Sequence, residues 1–489
     1  MSESAPHSED QARAFGALSQ LLKSIDSGMY CVTGKAGSGK TRLLSDLFQE
    51  AKSLDFRIIE PDFERKADPK QRSLAILTPT NKASAVLRAR GVPATTLHRI
   101  LYRPIYHPEY EAIADWLTEG GTKPVSEMVE SEALDRAKAF YDMTPSVPSA
   151  LAIIGARGSD FIKGWKRRDE VLDIGFVDES SMLDTQQIED LQEIFNTLVL
   201  FGDPAQLAPI GKSEGMVFEQ VKSDNSFNLS RIHRQVEGNP ILDLAHALAD
   251  PTLEFGDFQR LISEAALKDD RVVVSERVDT DLMARSPVLV WRNATRKRLI
   301  AGFRRAHAIE DGQLRPGEPL ICDGIELPMK HRAKRIDLET RGLIKGAQSI
   351  FLGQGNKSGF ARLYVMGAAD PFISVASIIQ IEHPDKEEPD MVSAAKMGAS
   401  FLHGAASTIH KAQGSQWPQV QVFGPDIGAA ARSGRNEAGI PLWKRLVYVA
   451  LTRAEHRFFW ITDYKMAKPT KQLDPKDVQQ DFELKLSAE

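Results

Sequence analysis

Several groups in this sequence are spaced in a way that suits phosphate chemistry. Lys40-Thr41 close the run Gly34-Lys35-Ala36-Gly37-Ser38-Gly39, which fits G-x-x-x-x-G-K-[ST] at every position. The glycines let successive backbone N–H groups turn toward one anion. The lysine then reaches the β- and γ-phosphates, and the threonine hydroxyl holds Mg²⁺. Asp178-Glu179 follow the apolar run Val171–Val177. Adjacent carboxylates at the end of a buried strand are costly unless they bind a cation or do chemistry. Beside a P-loop, Asp178 is placed to bind Mg²⁺ through water and Glu179 to polarise an attacking water. Gln206 follows the strand Thr197–Phe201 on a Gly-Asp-Pro turn, which sets its amide near the nucleotide edge of a sheet. Leu229-Ser230-Arg231-Ile232-His233-Arg234-Gln235 holds arginines that either reach a γ-phosphate from a neighbouring domain or form a surface salt bridge.

The elements that must position these groups follow from periodicity. Met29–Thr33 reads as a strand, and Leu43, Leu44, Leu47, Phe48, Ala51 and Leu54 share one face of the helix after the P-loop. Ahead of it, Asp10–Ile25 has helical spacing and begins with Gln11, a residue that could read an adenine edge or simply be solvated. Glu60–Arg72 reads as a charged surface loop. Leu74–Leu77 is a strand ending in Thr78-Pro79-Thr80-Asn81, where the polar side chains suit phosphate contact, helix capping, or both. Ala94–Leu101 repeats that plan with Thr96 and His98. Tyr102–Arg168 carries tyrosines, prolines and a basic end but no phosphate chemistry, and reads as an insertion.

Downstream, Asn239–Asp281 looks helical and acidic. Pro287–Trp291 is a strand, and the helix Ala294–Ala308 has a basic face of the kind that is usually solvated. Residues 311–396 turn rich in Gly, Pro and short β-like runs. Ser407–Trp417 contains Thr408 and His410, and Leu446–Ala454 reads as a helix carrying Arg453.

At 489 residues with 42% hydrophobic and 26% charged content, the composition is that of a globular protein with several domains. A formal charge of −5 means that any nucleic-acid surface is local. Cys31 and Cys322 are far apart and read as buried thiols in a reducing compartment. The first residues lack a signal-peptide plan, and no apolar run reaches membrane-span length. A cytoplasmic enzyme with no membrane association is the expectation.

In order, GKAGSGKT, LTPTNKA, TTLHRIL, VDESSM, FGDPAQLAPI, LSRIHRQ, STIHKAQGSQW and YVALTRA resemble the motif set of superfamily 1 helicases. The HKAQGS block and the short β-like insertion before it are similar to the RecD/Dda-like branch (superfamily 1B) rather than to the UvrD/Rep-like one.

The resemblance implies an α/β fold of two RecA-like parallel-sheet cores with an insertion in each, the second β-rich and SH3-like. The expected boundaries are 1–101 and 169–225 for the first core, 102–168 for its insertion, 226–310 and 397–489 for the second core, and 311–396 for the β-rich module. It also implies ATP and Mg²⁺ as cofactors and 5′-to-3′ movement on single-stranded DNA, with unwinding at single-strand/double-strand junctions. A DNA-stimulated translocase that remodels protein–DNA complexes is the alternative. A monomer is expected, with replication or repair proteins as partners and work in DNA replication, repair or recombination.

By the same resemblance, Lys40 and Thr41 are phosphate and Mg²⁺ ligands within the loop Gly34–Thr41. Asp178 and Glu179 are the metal-binding and catalytic carboxylates, and Gln206 the γ-phosphate sensor. Arg234 and Arg453 are arginine fingers, and Gln11 the adenine reader. Thr80, Asn81, Thr96, His98, Thr408 and His410 touch DNA. The Tyr102–Arg168 region is where relatives carry a strand-splitting pin, whose tip is not identified.

Overall fold

Apolar runs bounded by polar loops become parallel strands in this chain, and the loops after them gather the chemistry. The computed structural model describes residues 7–59, 71–143, 150–151, 153–154, 162–207, 216–230, 238–326, 332–368, 370–386, 389–395 and 398–476. Most of the expected loop Glu60–Arg72, and Arg234, lie outside them.

The first core opens with α1 (Glu9–Lys23), β1 (Gly28–Gly34), α2 (Lys40–Ser53), β2 (Arg57–Ile58), β3 (Ser73–Thr78), α3 (Asn81–Ala89), β4 (Thr95–Thr96) and α4 (Leu97–Leu101). An antiparallel ribbon of β5 (Tyr102–Tyr106) and β6 (Ile162–Arg167) then leaves the core, with α5 (Pro108–Glu119) and α6 (Ser131–Met143) between its strands. The chain returns as β7 (Leu172–Val177), α7 (Thr185–Ile194), β8 (Phe195–Gly202) and β9 (Ser226–Leu229). The sheet order is β2-β3-β7-β8-β1-β9, with β4 beside β3 and every pairing parallel. All six residues of β3 are buried, as expected of a parallel strand covered on both faces. Because β7, β8 and β1 are neighbours, the segments after them open on one sheet edge, where open α/β sheets bind ligands.

The second core begins with α8 (Pro240–Ala247), α9 (Phe255–Lys268), β10 (Val272–Val278), α10 (Thr280–Met283), β11 (Val288–Val290) and α11 (Asn293–Ala306). Six further strands follow: β12 (Pro319–Glu326), β13 (Gln348–Gln354) after α12 (Arg332–Thr340), β14 (Phe360–Val365), β15 (Phe372–Ile381), β16 (Asp390–Ala394) and β17 (Gly398–His403). Their order is β14-β13-β12-β17-β15-β16, and a β14–β15 pairing closes five of them into a barrel. The chain re-enters the core as β18 (Ala406–Thr408), α13 (Ile409–Ala412), β19 (Trp417–Phe423), α14 (Gly424–Arg432), the ribbon β20 (Asn436–Glu437) and β21 (Ile440–Pro441), α15 (Leu442–Leu451) and β22 (Ala454–Met466). The second sheet is parallel, ordered β10-β22-β19-β11-β18. These are the two expected RecA-like cores with a β-rich insertion in the second.

Four expectations need correction. The helical reading of Asn239–Asp281 fails at β10, where three successive valines, stiff at χ1, pair with β22. Ser226–Leu229, placed in the second core, is the edge strand of the first, paired with β1. A Cβ at Gly34 would lie 2.9 Å from the Leu229 carbonyl, so glycine is what allows the two strands to meet. β17 belongs to the barrel although the expected boundary cuts before it. Finally, the basic face of α11 is not simply solvated. Arg296 and Arg304 are buried, Arg296 donating to Glu382 and Arg304 to Glu318.

Candidate functional site

The P-loop turns on Gly37 and Gly39, whose φ values of 85° and 88° favour glycine. Gly39 is the N-cap of α2, so the next backbone N–H groups point out of the loop. The Lys40 ammonium lies across the loop, donating to the carbonyls of Gly34 at 2.5 Å and Lys35 at 3.1 Å. Gln11, the expected adenine reader, is hydrogen-bonded within the protein. Its side chain is 1% exposed, its Nε2 donates to the Ser38 carbonyl at 3.0 Å, and its Oε1 accepts from the Ser8 N–H at 3.1 Å. The amide is thus spent on bracing the loop from α1.

At the end of β7, the Asp178 N–H continues the sheet by donating to Leu77, and Asp178 is 7% exposed. Burial and the neighbouring Glu179 push its carboxyl well above the usual range, with Lys40 pulling the other way. Glu179 has a left-handed φ of 54°, uncommon for a side chain with a Cβ, and its Oε2 is buried without a hydrogen-bond partner. Ser180 pins the turn by donating to the Phe201 carbonyl of β8 at 2.8 Å. A crowded carboxylate pair, one orphaned oxygen and a nearby lysine fit a divalent cation bound with phosphate. Asp178 and Thr41 are the residues that would hold it.

Gln206 is 5% exposed after β8, and its N–H donates to the Asp203 carbonyl. The second core meets it through α15. The Arg445 guanidinium donates to the carbonyls of Pro204 and Gln206. Tyr448, one turn on, accepts the Ala36 N–H of the P-loop at 3.1 Å and donates to Asp203 Oδ2 at 2.6 Å. Arg453 lies just past the helix, not in it. It is 5% exposed, and it donates to the carbonyls of Val449 at 3.1 Å and Ser415 at 3.0 Å and to the Thr452 hydroxyl. The residues of α15 that cross the cleft are therefore Arg445 and Tyr448, which the sequence reading missed. Asp203 was findable: like Asp178, it is a carboxylate directly after an apolar strand. Tyr448 opens the YVALTRA block, but its apolar surroundings gave no sign of a polar role.

The other expected residues gather on matching strand-to-helix turns of the two cores. Thr80 caps α3, its side chain accepting from the Ala83 N–H, and Asn81 is the first residue of that helix. Thr96 precedes α4 and Thr408 caps α13, with His98 and His410 two residues later in each. Desolvation lowers the pKa of both histidines, which favours the neutral imidazole. His98 packs against Tyr102 and edge-on against Trp165, at centroid distances of 4.7 and 4.4 Å. The two cores touch here. Lys82 donates to Ser415 Oγ at 2.5 Å and lies over the Trp417 ring. Burial and the nearby Arg453 bring its pKa down to about 8.

The family model for the AAA domain matches residues 7–269, and that for the UvrD-like helicase C-terminal domain matches residues 403–459. The conjugal transfer protein TraA of Rhizobium radiobacter is 25% identical over 308 residues, covering 59% of this chain and 24% of TraA. A TraA protein of Sinorhizobium fredii is 26% identical over 306 residues, with shares of 60% and 24%. The chain spans about a quarter of the length of these curated relatives. Among solved structures, Pif1 helicase from Candida albicans aligns over 98% of this chain and 100% of its own, with 15% identity and a TM-score of 0.49. Pif1 helicase from Bacteroides in complex with ADP-AlF3 and ssDNA aligns over 99% and 98%, with 16% identity and a TM-score of 0.48.

Proposed function

Since the chain belongs to the AAA-domain family and is a superfamily 1B helicase, an ATP-driven enzyme, we propose that it moves 5′ to 3′ along single-stranded DNA and separates strands at single-strand/double-strand junctions. What supports the ATP-hydrolysis part of the reading is convergence: Lys40, Asp178-Glu179 and Gln206 follow three adjacent parallel strands, and α15 of the second core reaches the P-loop and the Gln206 turn; the polarity rests on the family resemblance.

In this reading Lys40 and the loop N–H groups from Gly37 to Thr41 hold the phosphates, and Gln11 serves them by bracing the loop. Thr41 and Asp178 hold Mg²⁺, which when bound neutralises phosphate charge. Glu179 takes the proton of the attacking water. Gln206 senses the γ-phosphate, and Arg234 and Arg453 stabilise the charge that develops on it. For Arg453 this requires exchanging its carbonyl partners for phosphate oxygens as the cleft closes. Thr80, Asn81, Thr96, His98, Thr408 and His410 hold the DNA backbone through neutral hydrogen bonds, giving binding that is nearly independent of sequence. Alternate grip by the two cores then turns closure into a step.

The test is a duplex with a 5′ tail, a 3′ tail or none, run beside ATP turnover. Strand release only from the 5′-tailed duplex is expected. DNA-stimulated turnover without release would favour the translocase reading, and release from the 3′ tail would overturn the polarity. Lys40→Ala is expected to lower turnover at least about a hundredfold while DNA binding, read by fluorescence anisotropy, persists. Wild-type turnover in that variant would remove the P-loop from the chemistry.

A further inference from the structure

Tyr448 is 3% exposed and belongs to the second core, yet both hydrogen bonds of its hydroxyl go to the first. The oxygen accepts the Ala36 N–H, from within the P-loop. The proton goes to Asp203, which is fully buried and whose other oxygen accepts the Ala205 N–H at 3.0 Å. Arg445, on the same face of α15 one turn earlier, donates to the carbonyls of Pro204 and Gln206 in the same turn. One helix of the second core thus holds the P-loop and the Gln206 turn together.

We propose that Tyr448 is a positioning residue for ATP hydrolysis, tying the P-loop amide of Ala36 to the Asp203–Gln206 turn so that the seating of α15 sets the geometry of the catalytic groups. An N–H given to Tyr448 is not given to phosphate, so the hydroxyl is not a nucleotide contact. The phosphate-holding groups of Gly39, Lys40 and Thr41 remain intact without it. What its removal loosens is the registry between the P-loop, Gln206 and the second core, which matters when the cleft is closed and charge develops. Burial and Asp203 raise the pKa of the phenol, so the hydroxyl keeps its proton at neutral pH.

This inference rests on the ATPase reading, and the experiment separates the two. Steady-state ATP hydrolysis with saturating single-stranded DNA is measured for the wild type, Tyr448→Phe, Asp203→Asn and the double variant, with melting temperature recorded for each. No turnover by the wild type would fail the ATPase reading itself. Given wild-type turnover, Tyr448→Phe, which loses both hydrogen bonds of the hydroxyl, is expected to lower kcat roughly tenfold, with KM for ATP nearly unchanged. The double variant is expected to lose clearly less than the two single losses combined, because the two residues share the Tyr448–Asp203 bond. Wild-type kcat in Tyr448→Phe, a rise in KM at constant kcat, or additive losses would each overturn the proposal. If Tyr448→Phe does not fold, Asp203→Ala, which removes both acceptor oxygens, decides: a lower kcat at constant KM supports the strut, and an unchanged kcat overturns it.

Discussion

Asp178 shows what it costs to place a reactive group where the sheet ends. Burial and Glu179 raise its pKa, so the folded protein holds that proton more tightly than the unfolded chain does. Stability therefore falls as pH rises from the ordinary carboxylate range through the raised value, and is not regained above it. Asp178→Asn removes this penalty. It is expected to abolish turnover while stabilising the fold at pH 8 by roughly 1–2 kcal/mol, a common size of stability–activity trade-off. Urea denaturation at pH 8 and pH 4.5 checks the sign, since the gain should shrink at the lower pH; equal gains at both would place the effect elsewhere. Glu179 has a left-handed backbone in a turn that Ser180 holds against β8.

Elements are joined here by buried polar sets as much as by apolar faces. Glu318 at the entrance to the barrel accepts from Arg304 of α11 at 2.6 Å, from the Arg315 N–H at 2.5 Å, and from His403 at the end of β17 at 3.0 Å. His403 Nδ1 accepts the Ala405 N–H, so its proton is on Nε2 and the bond to Glu318 is donated. Both ends of the barrel are thereby fastened to one helix of the second core. Glu318→Ala leaves the Arg304 guanidinium, 4% exposed, without its carboxylate. A loss of about 3–5 kcal/mol is expected, read as a lower urea midpoint. A loss under about 1 kcal/mol would mean that water reaches the guanidinium and that the set does not anchor the barrel.

Across the molecule, the insertion of the first core and the barrel of the second share one apolar cluster. Tyr110, Ile113, Leu117 and Leu134 are buried in the same cluster as Cys322, Phe351, Leu363 and Phe401. Arg99 of α4 and Glu339 of α12 add an ion pair between the same halves. The two cores are thus linked at the nucleotide cleft and again through their insertions. Leu117→Ala, at 1% exposure, is expected to cost about 2–5 kcal/mol. On the proposed function it should lower the base pairs opened per ATP while leaving DNA-stimulated turnover near wild type. An unchanged ratio would show that the second link plays no part in strand separation.

Where the candidate groups stand, at the ends of strands, was legible in advance. The P-loop, the Asp178-Glu179 pair, Gln206 and the Thr-x-His turns each need only a strand end and a few following residues, and strand ends are visible as apolar runs stopping at polar ones. The parallel cores were legible for the same reason. Other features depended on which strands became neighbours. No local pattern says that Ser226–Leu229 pairs with β1, or that β12 pairs with β17. Nor does one say that Gln11 is spent on Ser38, that Arg453 bonds Ser415, or that a tyrosine in an apolar helix reaches the Ala36 N–H. Those are contacts between residues dozens to hundreds of positions apart, made only when two sheets and two insertions have packed. Residue types along the chain decided what chemistry is available. Long-range packing decided which groups are free to do it and which are held in reserve by a carbonyl or a hydroxyl.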